Sequence, residues 1–207
     1  MLTYLLLTLA AVAVALAAPQ SPAAYQPLSK LISNGEFGLT MRIIDEVGEP
    51  RAVALVATKN GTNEELVLVG QPLASNSGTP AYTTNTNAKD ANGFDFVALN
   101  VDVDGTSYGL FAADVGSVYG IQTTITAVKG MQQEEWLVSD EDDGVYRKLA
   151  AANNQFMACA GTVNGQPAVV LSWGIRKSNG ATPDGCDSTT VKKNCNVPDS
   201  MAKCPKF

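Results

Sequence analysis

Six carboxylates within ten residues form the densest group of side chains in this chain that could do chemistry. We call this group the acidic block; it consists of Glu134, Glu135, Asp140, Glu141, Asp142 and Asp143. Clustered carboxylate oxygens can bind Ca²⁺, and two carboxylates about 5 to 9 Å apart can hydrolyse a glycosidic bond. Neither chemistry is specific to such a cluster, and the calcium-loop pattern is absent, since Asp102-Val103-Asp104-Gly105 lacks the later ligands. We therefore expect the acidic block to be a solvated loop whose charge favours solubility.

Aromatic side chains beside polar ones are the second candidate chemistry, because such pairs bind sugars. Trp136 and Tyr146 flank parts of the acidic block, and Tyr82 is the only aromatic residue in the polar stretch 71–93. An aromatic ring stacks on the apolar face of a sugar while polar neighbours bind its hydroxyls. We name Trp136, Tyr82 and Tyr146 as possible ligand contacts, weighed against the commoner role of a lone Trp as part of the core.

Several classes of activity are disfavoured by composition. The chain contains no histidine, which removes the usual general base, every Ser-His or Cys-His nucleophile and every His-bearing zinc site. No phosphate-binding glycine loop and no G-x-S-x-G motif occurs. The net charge of −6 repels nucleic acid and anionic lipid. We expect a protein without catalytic activity, cofactor or metal, and with no nucleic-acid partner.

The amino terminus is typical of a secreted protein. Leu5 to Leu16 is an unbroken run of apolar residues and Thr, followed by a small-x-small pattern that ends at Ala17. The run is too short to cross a bilayer, which takes about 20 residues. We predict a signal peptide at residues 1–17, a surface leader at 18–36 and a single β-rich domain at 37–207. The protein is then secreted, extracellular or in the cell wall, with no membrane attachment after cleavage.

Secretion permits disulfides and glycosylation. Four cysteines in an exported chain predict two disulfides. One pairing joins Cys159 to Cys186 and Cys195 to Cys204, the latter enclosing only eight residues. The pairing of Cys159 with Cys204 and of Cys186 with Cys195 remains open. Asn60 begins the only glycosylation sequon, Asn-Gly-Thr.

The elements that must position these residues are predicted to be strands. Stretches beginning at Phe37, Phe96 and Phe156 each alternate apolar and polar residues, turn, and return through an Ala/Val/Leu-rich strand. Two of the turns are Asp104-Gly105 and Asn164-Gly165, which favour tight hairpins. The offsets are 59 residues (96 − 37) and 60 residues (156 − 96). We predict an all-β, single closed barrel-like domain, trefoil-like in its three Phe-initiated hairpins, with an irregular barrel or sandwich as the alternative.

Two further segments carry predictions of local structure. Residues 71–93 are polar and rich in Asn, Thr and Gly, which predicts a long loop. Residues 143–155 are the best helix candidate that follows the signal peptide, with about three turns at most.

The last quarter of the chain carries a family resemblance. Phe156-Met157-Ala158-Cys159, a strand pair ending near Trp173, and Gly180 to Cys186 together resemble a group of small secreted fungal cell-wall proteins. The group includes the phialide cell-wall protein and related IgE-binding antigens. The chain has Ala160 where the group has Pro. The resemblance implies a secreted or wall-associated protein linked to development or host contact, with no known catalysis and a disulfide-stapled carboxyl-terminal region.

Three functions are therefore expected, in order of preference. The first is a non-enzymatic secreted cell-wall or surface protein. The second is a carbohydrate-binding, lectin-like module that contacts cell-wall polysaccharide through its aromatic residues. The third is a secreted effector or inhibitor that binds a host or competitor protein through residues 71–93.

Overall fold

We describe the fold from a computed structural model, whose described residues are 36–44, 48–73, 78–89, 93, 95–139, 141–148 and 154–194. These residues contain strands and no α-helix. The strands are β1 (Gly38–Ile44), β2 (Pro50–Lys59), β3 (Leu66–Pro72), β4 (Ala81–Lys89), β5 (Asp95–Val103), β6 (Thr106–Phe111), β7 (Gln122–Thr124), β8 (Thr126–Lys129), β9 (Trp136–Val138), β10 (Gly144–Arg147), β11 (Asn154–Val163), β12 (Gln166–Ile175), β13 (Cys186–Ser188) and β14 (Val191–Asn194).

Some predictions fall on residues outside these ranges. The signal peptide at 1–17, nearly all of the leader at 18–36, and both Cys195 and Cys204 lie outside the described residues. The cleavage site and the disulfide predicted between the last two cysteines stay predictions.

All the strands belong to one antiparallel sheet, so the all-β prediction is confirmed. The order is β13-β11-β12-β3-β2-β1-β14-β10-β9-β5-β6-β8, with β4 paired to β5 and β7 paired to β12. β8 also pairs with β3. The pairings among β3, β2, β1, β14, β10, β9, β5, β6 and β8 therefore form a continuous circuit. Each strand within such a circuit has a neighbour on both edges with which its backbone N–H and C=O groups can pair.

The three predicted hairpins are confirmed as β1–β2, β5–β6 and β11–β12. In two of the three hairpins, β5–β6 and β11–β12, the turn forms at the residue pair that the sequence predicts. Asp104 and Gly105 have φ angles of 52° and 74°, and Asn164 and Gly165 have φ angles of 52° and 76°. Tight hairpin turns with two left-handed residues favour Asp-Gly and Asn-Gly, because Gly has no Cβ and Asn or Asp tolerates this region.

The prediction of a long loop over residues 71–93 is wrong for much of that segment. Gln71 and Pro72 end β3, and Ala81–Lys89 forms β4 along β5. Ala81 and Thr84 are buried, and β4 contains three threonines, which favour strands. Pairing with β5 outweighs the polar composition on which the loop prediction depended.

The prediction of a helix over residues 143–155 is also wrong where the structure describes it. β10 occupies Gly144–Arg147 and β11 begins at Asn154. In β10, Val145 and Arg147 are buried while Tyr146 between them is exposed. That alternation has the period of a strand, in which successive side chains point to opposite faces.

Aromatic side chains join the third hairpin to the rest of the core. Phe37, Phe96 and Phe156, the residues that open the three hairpin stretches, are all buried. Phe156 stacks on Trp136 of β9 at 6.2 Å between ring centroids and meets Trp173 of β12 edge-on at 5.1 Å. Such stacked and edge-to-face pairs add about 0.5 to 1.5 kcal/mol beyond burial of their surface.

The disulfide pairs Cys159 with Cys186, so the open alternative of Cys159 with Cys204 is wrong. The two residues are register partners on β11 and β13. The bond therefore staples the short edge strand β13 to the third hairpin, as expected for the carboxyl-terminal region.

Replacing Cys159 and Cys186 together by Ala should lower the free energy of unfolding by about 3 to 4 kcal/mol, because the bond closes a loop whose ends are 27 residues apart. Urea unfolding followed by tryptophan fluorescence measures this change. The double variant Cys195→Ala with Cys204→Ala is the control, since it keeps the Cys159–Cys186 bond. An unchanged midpoint for the first variant would show that β13 holds its place without the staple.

Candidate ligand-binding groove

One groove combines concavity with unusual polar groups. Its volume is about 860 Å³, within the range of about 300 to 1,000 Å³ for small-molecule sites. Strands β9, β10, β11, β12 and β14 contribute to its lining. We call it the groove, and its key lining residues are Tyr146, Arg147, Lys148, Asn154, Trp173 and Lys192.

Tyr146 is the exposed aromatic residue of the groove, with 47% of its surface accessible. Its hydroxyl donates a hydrogen bond to the carboxylate of Asp142. Its ring lies against the backbone of Gly144, where an added Cβ would come within 2.6 Å of the ring carbon Cζ. Only glycine leaves this space. The ring is thus fixed both by its hydroxyl and by the surface on which it rests.

The Tyr146–Asp142 pair has shifted proton affinities. The pKa of Asp142 is well below its ordinary value, first because the Ser139 side chain hydrogen-bonds to it, and then because Tyr146 and the backbone N–H of Gly144 do. The pKa of Tyr146 is raised, chiefly by its hydrogen bond to the Asp142 carboxylate. The carboxylate is therefore an anion at ordinary pH and the phenol remains a proton donor.

Arg147 places a cation in the floor of the groove. Its surface is only 7% exposed, and one of its terminal nitrogens lies 2.9 Å from Glu135 Oε2. The centre of its guanidinium is 5.1 Å from the ring centroid of Trp173. The carboxylate and the ring face compensate much of the cost of removing this charge from water. The guanidinium Nε nevertheless has no hydrogen-bond partner.

Buried polar atoms without partners concentrate at the groove. Asn154 is 7% exposed and neither its Nδ2 nor its Oδ1 has a partner. Trp173 is 2% exposed and its Nε1 also has none. With Arg147 Nε, these groove residues carry four of the seven such side-chain atoms in the described chain. Each costs about 1 to 3 kcal/mol when left unsatisfied, and all four belong to residues that line the groove.

The three predicted ligand contacts lie in different surroundings. Tyr146 lines the groove. Trp136 is 1% exposed and stacks on Phe156, so it lies in the core beneath a groove-lining residue. Tyr82 on β4 is half-buried and its hydroxyl bonds to Ser107, outside the described lining of the groove.

The acidic block is more than a solvated loop. Glu134, Glu141 and Asp142 are exposed, as expected. Glu135, however, pairs with buried Arg147, and Asp143 lies 3.8 Å from the Nζ of buried Lys193. Two of its carboxylates therefore neutralise cations that the fold has buried. Among the described residues, no three His, Cys, Asp or Glu side chains are grouped so that they could hold a metal ion.

Asn60, the predicted glycosylation site, lies in the turn between β2 and β3. Its Oδ1 accepts a hydrogen bond of 3.2 Å from the backbone N–H of Asn164. Asn164 in turn donates from Nδ2 to the carbonyl of Lys59 at 2.8 Å and accepts from the N–H of Gly61 at 2.8 Å. We call this reciprocal set the turn clasp. It holds the tip of the third hairpin against the β2–β3 turn.

The sequence analysis did not predict Arg147, Asn154 and Trp173 as residues of the groove. The sequence does contain one indication of the buried cation. Arg147 lies two residues after Val145, so in a strand the two side chains point to the same face. A charged residue on the apolar side of a strand is rarely buried without a specific partner. Asn154 gave no such signal, since Asn-rich sequence is typical of turns.

Comparisons with known proteins add no relative. No protein-family model, no curated protein and no solved structure matches this chain. None of the described residues forms a helix that is both long and apolar enough to cross a membrane.

Replacing Asn154 by Leu should raise the free energy of unfolding by about 1 kcal/mol or more, because it removes two buried polar atoms that have no partner. The neighbouring variant Gln155→Leu is the matched control, since Gln155 bonds to Ser188 and Arg176 and should lose stability. Chemical denaturation measures both. A loss of stability in Asn154→Leu as large as that in Gln155→Leu would mean that the Asn154 amide is satisfied in solution.

Tyr146 should ionise at higher pH than a tyrosine free in water, because its pKa is raised by its hydrogen bond to Asp142. Its bond to Asp142 then contributes fully below the ordinary tyrosine pKa of about 10, and this contribution is lost as pH rises through the raised value. Ultraviolet absorbance of tyrosinate follows the titration. Tyr146→Phe should remove the latest step and Asp142→Asn should move it to lower pH. Tyr119→Phe, an exposed residue elsewhere, should leave it in place; a latest step that survives in Tyr146→Phe would contradict the assignment.

Proposed function

We propose that the protein is a secreted, non-enzymatic cell-wall or surface protein whose groove binds a carbohydrate. The observation that carries this proposal is the fixed, exposed ring of Tyr146 at the side of a groove whose floor holds unpartnered polar atoms. A sugar needs both features, because it presents an apolar face to an aromatic ring and hydroxyls to polar groups at its edges.

The polar groups around Tyr146 suit the edges of a sugar ring. Asp142 is a permanent acceptor because its pKa is lowered. Lys192, whose Nζ donates to the Asp142 carbonyl at 3.1 Å, is a donor on the same side, since β10 and β14 are paired there with Gly144 opposite Lys192. A ring that is already immobilised loses little side-chain entropy when a ligand stacks on it.

We also propose that the groove binds its ligand without catalysing a reaction. Asp142 is the single carboxylate among the described residues that line the groove, and its lowered pKa keeps it from acting as a proton donor near neutral pH. Glycoside hydrolysis needs a second carboxyl group with a raised pKa. The described lining favours binding without turnover.

Secretion and wall association are supported by local features. The apolar run that ends before Ala17 and the resemblance of residues 156–186 to fungal cell-wall proteins support export to the wall. The Cys159–Cys186 bond is consistent with an oxidising compartment. Asn60 and Thr62 lie in a half-buried to exposed turn, which suits N-glycosylation of an exported chain.

A closed barrel is the fold we propose around this site. The circuit of pairings from β3 through β14 and back through β8 supports closure. The near-equal spacing of the three Phe-initiated hairpins supports a trefoil-like relation among them. Two of these hairpins, β1–β2 and β5–β6, lie within the circuit, while β11–β12 adjoins it through Val170 opposite Val69.

The alternative of a secreted effector or inhibitor depended on residues 71–93 as a docking loop. β4 occupies nine of these residues and pairs along β5. Less of the segment is then free to adapt to a partner protein. The groove therefore supports the carbohydrate proposal better than this alternative.

Tyr146→Ala should weaken carbohydrate binding at least about fivefold, because a stacked ring contributes about 1 kcal/mol. Co-sedimentation with isolated wall polysaccharide and calorimetric titration with soluble oligosaccharides measure the affinity. Tyr119→Ala is the matched control, since it removes a tyrosine that is 59% exposed and lies outside the described lining of the groove. Equal weakening by both variants, or binding that neither variant alters, would contradict a role for the groove.

A further inference from the structure

The groove is cationic in a protein that is anionic overall. The whole chain has a net charge of −6. The described lining of the groove nevertheless contains Lys89, Arg147, Lys148 and Lys192 against the single carboxylate of Asp142. A concave surface of one sign concentrates ligands of the opposite sign.

Two of these cations are less closely paired than the others, although the charge of Lys192 helps to lower the pKa of Asp142. The Nζ of Lys89 lies 2.6 Å from Oδ1 of Asp95, and Arg147 forms a salt bridge with Glu135. Lys148 and Lys192 are exposed and form no salt bridge with a described carboxylate. The Nζ of Lys148 lies 5.5 Å from the ring centroid of Phe96, another groove residue. Among the described lining residues, these two ammonium groups exceed the single carboxylate of Asp142 by one positive charge.

The unpartnered atoms in the floor show the same preference for a negative ligand. Three are N–H donors, on Arg147, Asn154 and Trp173, and only Asn154 Oδ1 is an acceptor. Sugar hydroxyls both donate and accept, so a neutral sugar would not need such an excess of donors. An ionised carboxylate only accepts, and hydrogen bonds to it from charged donors are stronger than neutral ones.

We propose that the carbohydrate bound by the groove is an acidic sugar, with a uronate carboxylate facing Lys148 and Lys192 and its ring stacked on Tyr146. This inference rests on the proposed carbohydrate function and adds the chemical class of the ligand. The lysines at the rim attract and orient the carboxylate. Asn154 and Trp173 add buried N–H donors among the lining residues.

The test compares ligands that differ only in charge. A short oligouronate, its methyl ester and a neutral oligosaccharide of equal length are titrated into the full-length secreted protein by calorimetry at low ionic strength. The oligouronate should bind about tenfold more tightly than the ester, and this preference should shrink as salt is added, because exposed charges are screened. Equal affinity for the acid and its ester would overturn the proposal.

Matched lysine variants locate the charge effect. Lys148→Gln and Lys192→Gln should each weaken binding of the oligouronate about threefold to fivefold, in keeping with exposed ion pairs, and should weaken binding of the ester by a smaller factor. Lys129→Gln is the control, since this exposed lysine lies outside the described lining of the groove. If Lys129→Gln weakened binding as much as the other two, the effect would be one of net charge and the assignment to the groove would be wrong.

Failure of the inference and failure of the proposed function give different results. Neutral and esterified sugars that bind as tightly as the acid, with loss of binding in Tyr146→Ala, would leave the carbohydrate function in place and remove the acidic sugar. Absence of binding by all three ligands would overturn both. Asn154→Leu should weaken oligouronate binding while its fold becomes more stable, a combination that a purely structural role of Asn154 would not produce.

Discussion

The buried guanidinium of Arg147 is the constraint on which the groove depends. A cation that is 7% exposed must be compensated within the fold. Glu135 compensates it before β9 begins, and the ring of Trp173 does so from β12. Through the charge of Arg147, these contacts connect three parts of the chain: Glu135, β10 and β12. The floor of the groove therefore has a fixed position before any ligand arrives, and loss of either partner would leave a buried charge without its neighbour.

The sheet supplies the rigidity that surrounds this charge. β10 is held between β9 and β14, and Phe156 of β11 packs between Trp136 and Trp173. Lining residues from positions 89 to 192 are thereby brought to one groove. A site built on paired strands keeps its geometry better than one built on loops. This arrangement gives the groove a surface that is formed by the fold itself.

Local sequence patterns predicted the fold better than the site. The Asp-Gly turn, the Asn-Gly turn and the three hairpins each follow from residues that are close together in the sequence. The Cys159–Cys186 bond could be predicted because the chain has only four cysteines. The strand β4 was missed because its pairing with β5 outweighs its polar composition. Of the residues that line the groove, only Tyr146 was predicted to be a ligand contact. Arg147, Asn154 and Trp173 acquire their meaning from burial and missing partners, which arise only when distant strands meet.

The turn clasp and the groove lie at opposite ends of the third hairpin. A glycan on Asn60 would replace a hydrogen on Nδ2 and leave Oδ1 able to accept from Asn164. The clasp lies at the tip of β11–β12, whereas Asn154 and Trp173 stand at its base. Ten residues of strand separate Asn154 from Asn164, about 30 Å at about 3.3 Å per residue. A covalent sugar chain would thus extend from the far end of the hairpin and leave the mouth of the groove unobstructed.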